Sequence, residues 1–234
     1  NYISRRGSVE SNSEDEIDIT CRERLVEWCY RVCDCGQLAC SREAVAVAFS
    51  YIDRFLDKEV HCGLSFFKLV AITSFYMASK IHSTEELAIC SLVELSRQEF
   101  TVVDVCQMER KILEVLDWRM NPPTVQMFVA LLATLYRDVY SDVDSVFQLA
   151  IFFAELSVYE YSLVRYERYL VAVACVLNAI EEVMDDEAGS SEKLESVHLF
   201  QASLQVDLDR RAVARTQAKL WNLVRRSSSI DATQ

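Results

Sequence analysis

The sequence has little of what tight turns require, with 4 Gly and 2 Pro among 234 residues. A sheet of many strands needs frequent turns, and those turns rely on Gly and Pro. Hydrophobic residues make up 51% of the chain, so a large core can form. The length corresponds to one large domain or to two domains of about 100 to 150 residues. Together these features predict an all-α protein.

Positive charge is also scarce, because the chain has 24 Lys and Arg but 36 Asp and Glu, which gives a net charge of −12. Affinity for nucleic acid comes largely from Lys and Arg, so we expect no direct nucleic-acid partner. The start of the chain is polar and acidic rather than basic and then apolar, so no secretory signal is expected. The longest dense apolar run, Tyr169 to Leu177, is shorter than the roughly 20 residues that span a bilayer. We therefore expect no membrane partner and a location in the nucleus, the cytoplasm or both.

Signatures of catalysis are missing as well. The sequence contains no glycine-rich phosphate loop, no His-Glu-x-x-His helix and no nucleophile elbow, and its 3 histidines are isolated. Nine cysteines, an odd number, suggest reduced thiols rather than a disulfide framework. Five of them crowd together without a CxxC pair, at Cys21, Cys29, Cys33, Cys35 and Cys40. We predict buried thiols there rather than a metal site, and neither a cofactor nor enzymatic activity.

The few helix breakers divide the chain into helix-length blocks, five before the Pro122-Pro123 pair and five after it. The predicted helices are Ile19–Cys35, Ser41–Lys58, Leu64–Ile81, Thr84–Leu95, Thr101–Trp118, Thr124–Tyr136, Val143–Tyr159, Val164–Met184, Leu194–Leu204 and Leu208–Arg225. The predicted organisation is a polar N-terminal segment (1–17), a first bundle (18–121), a second bundle (122–226) and a polar tail (227–234).

The third predicted helix of each half carries the same apolar pattern with small residues. The matching positions are Leu69, Ala71 and Ala78 in the first half and Leu170, Ala172 and Ala179 in the second. A helix that is apolar all round lies in a core, and alanine lets neighbouring helices approach closely. Two tandem five-helix bundles, each built around a central helix, are therefore expected.

Four motifs in the first half make this sequence similar to the cyclins, at the spacings of the cyclin box. They are CRERLVEW (21–28), YIDRFL (51–56), KLVAITSFYMASK (68–80) and QMERKILEVLDWRMNPPTVQMFV (107–129). The second half resembles the C-terminal cyclin fold more loosely, through FFAELSVYEY (152–161). The resemblance implies a cyclin box over 18–121 and a cyclin-like fold over 122–226.

The resemblance also implies roles for individual residues. Lys80 and Glu109 match the two polar anchors of the cyclin interface with its kinase, although both could be solvated helix charges. The apolar part of that interface matches Met77, Leu113, Trp118 and Met120, and core packing is the alternative for each, equally weighted for Leu113. Arg22 and Asp53 match a family pair that ties the first two helices together, with two unrelated surface charges as the alternative.

Cyclins of the cell-cycle kind recruit substrates or inhibitors through an apolar patch on the first helix, and here that patch is altered. Its positions, which we call the first-helix patch, are Cys21, Arg24, Leu25, Trp28 and Arg31. Cys21 replaces a methionine, Arg24 an isoleucine and Arg31 an acidic residue. A basic docking peptide would be repelled by these arginines, so we expect weak or changed docking of Arg-x-Leu peptides.

Two short stretches, RRGSV around Ser8 and RRSSS around Ser228, resemble targets of basophilic kinases, with polar disordered termini as the alternative. As a whole, the resemblance predicts a regulatory subunit that binds and activates a cyclin-dependent protein kinase as a heterodimer and so controls cell-cycle progression. The alternatives are a cyclin-fold transcription-related factor and a kinase-independent helical adaptor.

Overall fold

A computed structural model of the chain describes residues 19–35, 40–59, 63–83, 87–137, 143–183, 195–203 and 205–231. These residues form helices joined by loops and turns, with no strand among them, so the predicted all-α fold is confirmed. The chain divides into two compact units, Asn1–Pro122 and Pro123–Gln234. The division falls at the double proline, where the sequence separates the two predicted bundles.

The described helices of the first unit are α1 (Ile19–Asp34), α2 (Glu43–Lys58), α3 (Leu64–His82), α4 (Ile89–Leu95) and α5 (Val102–Val115). Helix α3 is central and packs against the other four. The alanines that predicted this position, Ala71 and Ala78, are buried. Helix α4 is shorter than predicted, because Leu87 and Ala88 precede it as non-helical residues, while 84–86 lie outside the described residues.

Among the described residues, α3 is long and apolar enough to cross a membrane by length and composition alone. It has 19 residues, and 56% of its apolar window is buried inside the protein. Packing against four neighbouring helices accounts for that composition, since the central helix of a bundle is apolar on most sides.

Hydrogen bonds at both ends fix the limits of α5. At its start, the Thr101 hydroxyl accepts from the Asp104 amide at 3.2 Å and the Asp104 carboxylate accepts from the Thr101 amide at 2.8 Å, which is a capping box. At its end, Trp118 N–H donates to the Leu113 carbonyl at 3.0 Å while Asp117 and Trp118 adopt φ of 52° and 58°. This left-handed ending is a Schellman motif, and it stops the helix at Val115 rather than at the predicted Trp118.

The described helices of the second unit are α6 (Val125–Arg137), α7 (Val143–Ser157), a short 3-10 helix (Tyr161–Arg165), α8 (Arg168–Val183), α9 (195–203) and α10 (Arg210–Asp231). Helix α8 is the buried one and packs against α6, α7 and α10. Its Asn178 is buried and exchanges hydrogen bonds with Gln217 of α10. Helix α10 continues to Asp231, past the predicted helix end at Arg225.

Candidate functional site

Lys80 and Glu109 meet at the contact between α3 and α5. The Lys80 ammonium donates a hydrogen bond to the Glu109 carboxylate, and it also lies 4.3 Å from the centre of the Tyr76 ring. The two side chains are 27% and 22% exposed, so they are neither buried nor freely solvated. An ammonium has three donors and a carboxylate several acceptor sites, so both groups can also bind a partner. We refer to these two residues as the anchor pair.

The apolar residues predicted around the anchor pair differ in exposure. Leu113 lies one turn after Glu109 on the same face of α5 and is half-buried, as is Met120. Trp118 is 70% exposed. Met77 is 2% exposed, so its assignment to the interface is corrected: it faces the interior of the bundle and packs in the core. The residues of this predicted apolar set that reach the surface are therefore Leu113, Trp118 and Met120, which we call the apolar rim.

Residues 115–120 lead out of the end of α5 and include Trp118; we call them the exit segment. Side chains of α2 hold the backbone of this segment in place. Three α2 side chains donate hydrogen bonds to carbonyl oxygens of the exit segment: Tyr51 to that of Met120, Arg54 to that of Arg119 and Lys58 to that of Val115. The donors lie at intervals of three and four residues and so share one face of α2. Sequence reasoning missed this arrangement, because no motif shows which carbonyls a left-handed helix ending leaves free. The backbone on both sides of Trp118 is thus hydrogen-bonded to α2.

Arg22 and Asp53, predicted as a tie between α1 and α2, are buried against each other and share two hydrogen bonds. The structure therefore places them together in the interior rather than as separate surface charges. Neither contributes to the exposed surface beside the anchor pair. Their contact supports the site indirectly, because it fixes α1 on the helix that holds the exit segment.

The first-helix patch lies on the outer side of α1. Cys21, Leu25 and Trp28 are half-buried, and the Trp28 ring packs edge to face on Phe75 with centroids 5.9 Å apart. Arg24 is exposed. Arg31 is 69% exposed and forms an ion pair with Glu27 at 3.3 Å, one helical turn earlier. The patch thus keeps one aromatic ring but carries two exposed arginines.

Two predicted sites cannot be placed. Ser8 lies outside the described residues, and Ser228 belongs to the α10 backbone while its side chain is outside them. Within the described ranges, no group of three or more His, Cys, Asp or Glu side chains could hold a metal ion.

Residues 2–121 match the family pattern of the cyclin N-terminal domain, which covers half of the chain. The chain belongs to the cyclin family. Cyclins are a regulatory, non-catalytic kind of protein.

Individual relatives are cyclins of several types. The chain is 32% identical to the G2/mitotic-specific cyclin cig2 of Schizosaccharomyces pombe over 118 residues, 50% of this chain and 28% of that protein. It is 28% identical to Cyclin-B2-1 of Oryza sativa subsp. japonica over 168 residues, 72% of this chain and 38% of that protein. It is 26% identical to Cyclin-A3-3 of Arabidopsis thaliana over 195 residues, 82% of this chain and 59% of that protein. The chain thus spans between a quarter and three fifths of the lengths of these relatives.

Solved structures share the fold at low sequence identity. A viral cyclin from herpesvirus saimiri superposes with a TM-score of 0.63 at 18% identity, over 88% of this chain and 87% of that one. A chain of the CAK complex of Chaetomium thermophilum bound to ATP-gamma-S gives a TM-score of 0.60 at 10% identity, over 95% of this chain and 67% of that one. These similarities support the tandem cyclin fold.

Proposed function

We propose that this cyclin binds a cyclin-dependent protein kinase through the anchor pair and the apolar rim, and activates it. The observation that carries the proposal is the position of Lys80 and Glu109, two partly exposed charges at the α3–α5 contact, together with the 70% exposed Trp118 just beyond the end of α5. Similar folds occur in kinase complexes, CAK and TFIIK, which supports a kinase as partner. Progression through the cell cycle, in the nucleus or the cytoplasm, is the process that such activation would control.

The proposed mechanism places no chemistry on this chain. Lys80 and Glu109 bind backbone groups of the kinase, and charged hydrogen bonds of this kind are stronger than neutral ones. Trp118 and Leu113 bury apolar area against the regulatory helix of the kinase. The cyclin thereby stabilises the active arrangement of the kinase relative to the inactive one, and a shift in that equilibrium is the activation.

The test adds the purified chain to a panel of purified cyclin-dependent kinases and measures binding together with phosphate transfer from ATP. Lys80→Ala with Glu109→Ala removes two charged hydrogen bonds, each worth about 1.5 to 3 kcal/mol, so affinity falls about a hundredfold or more. The matched control is Lys68→Ala with Glu99→Ala, since Lys68 of α3 and Glu99 in the turn before α5 form another ion pair, at 3.0 Å. The control variant should bind and activate like the unchanged chain.

A charge exchange separates kinase binding from a purely internal role of the anchor pair. Lys80→Glu with Glu109→Lys preserves an attraction between α3 and α5 but presents the wrong charges to a partner. We expect normal helical circular dichroism and no recovery of activation. Full activation by the exchanged variant would show that the pair acts only within the chain. No binding to any kinase by the unchanged chain would favour the helical adaptor, and specific binding to duplex DNA would favour the transcription-related factor.

A further inference from the structure

Two cysteines meet where α1 ends and α2 begins. Cys33 lies in the last turn of α1, and Cys40 lies three residues before the start of α2. Their sulfur atoms are 3.7 Å and 3.9 Å from the same acceptor, the carbonyl oxygen of Ser41. Both side chains are half-buried, so small solutes can reach them while bulk solvent is partly excluded. We call Cys33 and Cys40 the thiol pair.

A hydroxyl group from the end of α3 completes the surroundings of the Cys40 sulfur. The Ser83 hydroxyl oxygen accepts a hydrogen bond from the Ser41 amide at 3.0 Å and lies 3.6 Å from the Cys40 sulfur. Because the hydroxyl oxygen is already an acceptor for the amide, its own proton is available for the sulfur. A donor aimed at a sulfur favours the thiolate form.

The two thiols differ in acidity because of this arrangement. The pKa of Cys40 is lowered to about 7, mainly by the hydrogen bond from Cys33 and further by Ser83, against an opposing effect of burial. The pKa of Cys33 is raised, because its proton is held in that hydrogen bond and because the side chain is partly buried. The nearby charged groups, Asp34 of α1 and Arg42 immediately before α2, form an ion pair with each other. Cys40 is thus the more nucleophilic thiol at neutral pH, and Cys33 is the candidate resolving thiol.

We propose that the thiol pair is a redox-modification site at which a peroxide oxidises Cys40 and Cys33 then closes a disulfide between α1 and the start of α2. In the first step the Cys40 thiolate attacks one oxygen of hydrogen peroxide, the O–O bond breaks, hydroxide leaves and a sulfenic acid forms. In the second step the Cys33 sulfur attacks the Cys40 sulfur, the S–O bond breaks, and water leaves with the Cys33 proton. Two electrons pass from the dithiol to the peroxide.

The other described cysteines lack this combination. Cys29 and Cys175 are buried, and burial raises the pKa of each thiol, so neither reacts readily. Cys90 and Cys106 are exposed on α4 and α5 and serve as matched controls. Oxidation also turns the Cys40 thiolate into an uncharged disulfide sulfur, which accepts the Ser83 proton more weakly, so the closed form alters the junction of α1, α2 and α3.

The test treats the purified chain with stoichiometric hydrogen peroxide at neutral pH, blocks the remaining thiols and digests without reductant. Trypsin cuts after Arg31 and Arg42, and a second protease that cuts before Asp34 separates Cys33 from Cys40 unless a disulfide joins them. We expect the joined peptides, lighter by two hydrogens, in the unchanged chain, in Cys35→Ser and in Cys106→Ser. They should be absent in Cys33→Ser and Cys40→Ser.

A second readout identifies the order of the steps. In Cys33→Ser the sulfenic acid on Cys40 has no resolving thiol, so a dimedone adduct at Cys40 should accumulate several-fold above the level in the unchanged chain. Circular dichroism checks that each variant is folded. A disulfide that requires Cys35, adducts spread evenly over Cys90 and Cys106, or no oxidation of Cys40 would each overturn the proposal.

Discussion

Arg22 of α1 and Asp53 of α2 form a bidentate ion pair in the interior of the first unit. The Nη1–Oδ1 distance is 2.6 Å and the Nη2–Oδ2 distance is 3.2 Å, with the residues 2% and 9% exposed. The guanidinium also lies 4.7 Å from the centre of the Phe49 ring. Because little water reaches either group, the direct contact between the two charges contributes strongly to stability.

Removal of one residue of this pair should therefore lower the free energy of unfolding far more than removal of a surface charge does. Asp53→Ala removes the carboxylate that accepts two hydrogen bonds from the buried Arg22 guanidinium, which lowers the free energy of unfolding by about 3 to 5 kcal/mol. Glu99→Ala breaks the exposed pair with Lys68 and should change it by less than about 1 kcal/mol. Urea denaturation followed by circular dichroism compares the two. Equal losses would contradict the interior role of the Arg22–Asp53 pair.

Tyr51 should make stability fall at alkaline pH. Burial raises its pKa to about 12, above its ordinary value of 10, so the unfolded chain loses the phenolic proton first. The contribution of the neutral Tyr51 side chain to the free energy of unfolding is therefore complete below pH 10 and is lost as the pH rises from 10 to 12. Tyr51→Phe removes the hydrogen bond to Met120, which lowers stability near pH 7 by about 1 kcal/mol. It should also flatten the alkaline decline in denaturation curves, and an unchanged slope would exclude Tyr51 as its source.

Trp118 and Met77 should respond oppositely to truncation. Trp118 is 70% exposed, so Trp118→Ala changes stability by less than about 0.5 kcal/mol but weakens kinase binding by about 2 kcal/mol or more. Met77 is 2% exposed, so Met77→Ala leaves a cavity and lowers stability by about 2 to 5 kcal/mol. Titration calorimetry with a purified kinase and thermal unfolding measure the two quantities. Kinase binding unaffected by Trp118→Ala would remove this residue from the apolar rim.

The first-helix patch should bind a basic Arg-x-Leu peptide weakly, because Arg24 and Arg31 are exposed. Combining Cys21→Met, Arg24→Ile and Arg31→Glu restores an apolar surface with a nearby acid. We expect the triple variant to bind a labelled peptide about tenfold more tightly, a gain of about 1.4 kcal/mol, in a fluorescence titration. An Arg-x-Ala peptide is the control. Tight binding by the unchanged chain would refute the expectation.

Much of the fold could be predicted from the sequence, because the signals that set it are local. The apolar composition of α3 and α8, with Ala71 and Ala172 among the buried residues, predicts their central positions. The Pro122-Pro123 pair predicts the division of the chain. Helix α5 ends earlier than predicted because its left-handed residues, Asp117 and Trp118, are not glycines, so the usual sequence signal of such an ending is missing.

The candidate site could be predicted less completely, because it depends on contacts between distant residues. The cyclin resemblance marks Lys80 and Glu109, but no local pattern shows that they bind each other across 29 positions. Met77 is misassigned for the same reason: helical spacing places a residue on a face of α3, but only the packing of neighbouring helices decides whether that face is covered. The thiol pair likewise depends on Ser83, 43 positions from Cys40.

The exposure of Trp118 gives the protein a natural optical reporter. The sequence has 3 tryptophans, and the other two are already packed, Trp28 on Phe75 and Trp221 on Phe153 with ring centres 5.9 Å and 5.1 Å apart. A water-exposed indole emits at longer wavelength than one in an apolar environment, so burial of Trp118 by a partner would shift the emission of the whole chain towards the blue. Complex formation at the apolar rim can thus be followed without any attached dye, and a tryptophan-free partner that contacts none of the three indoles would leave the spectrum unchanged.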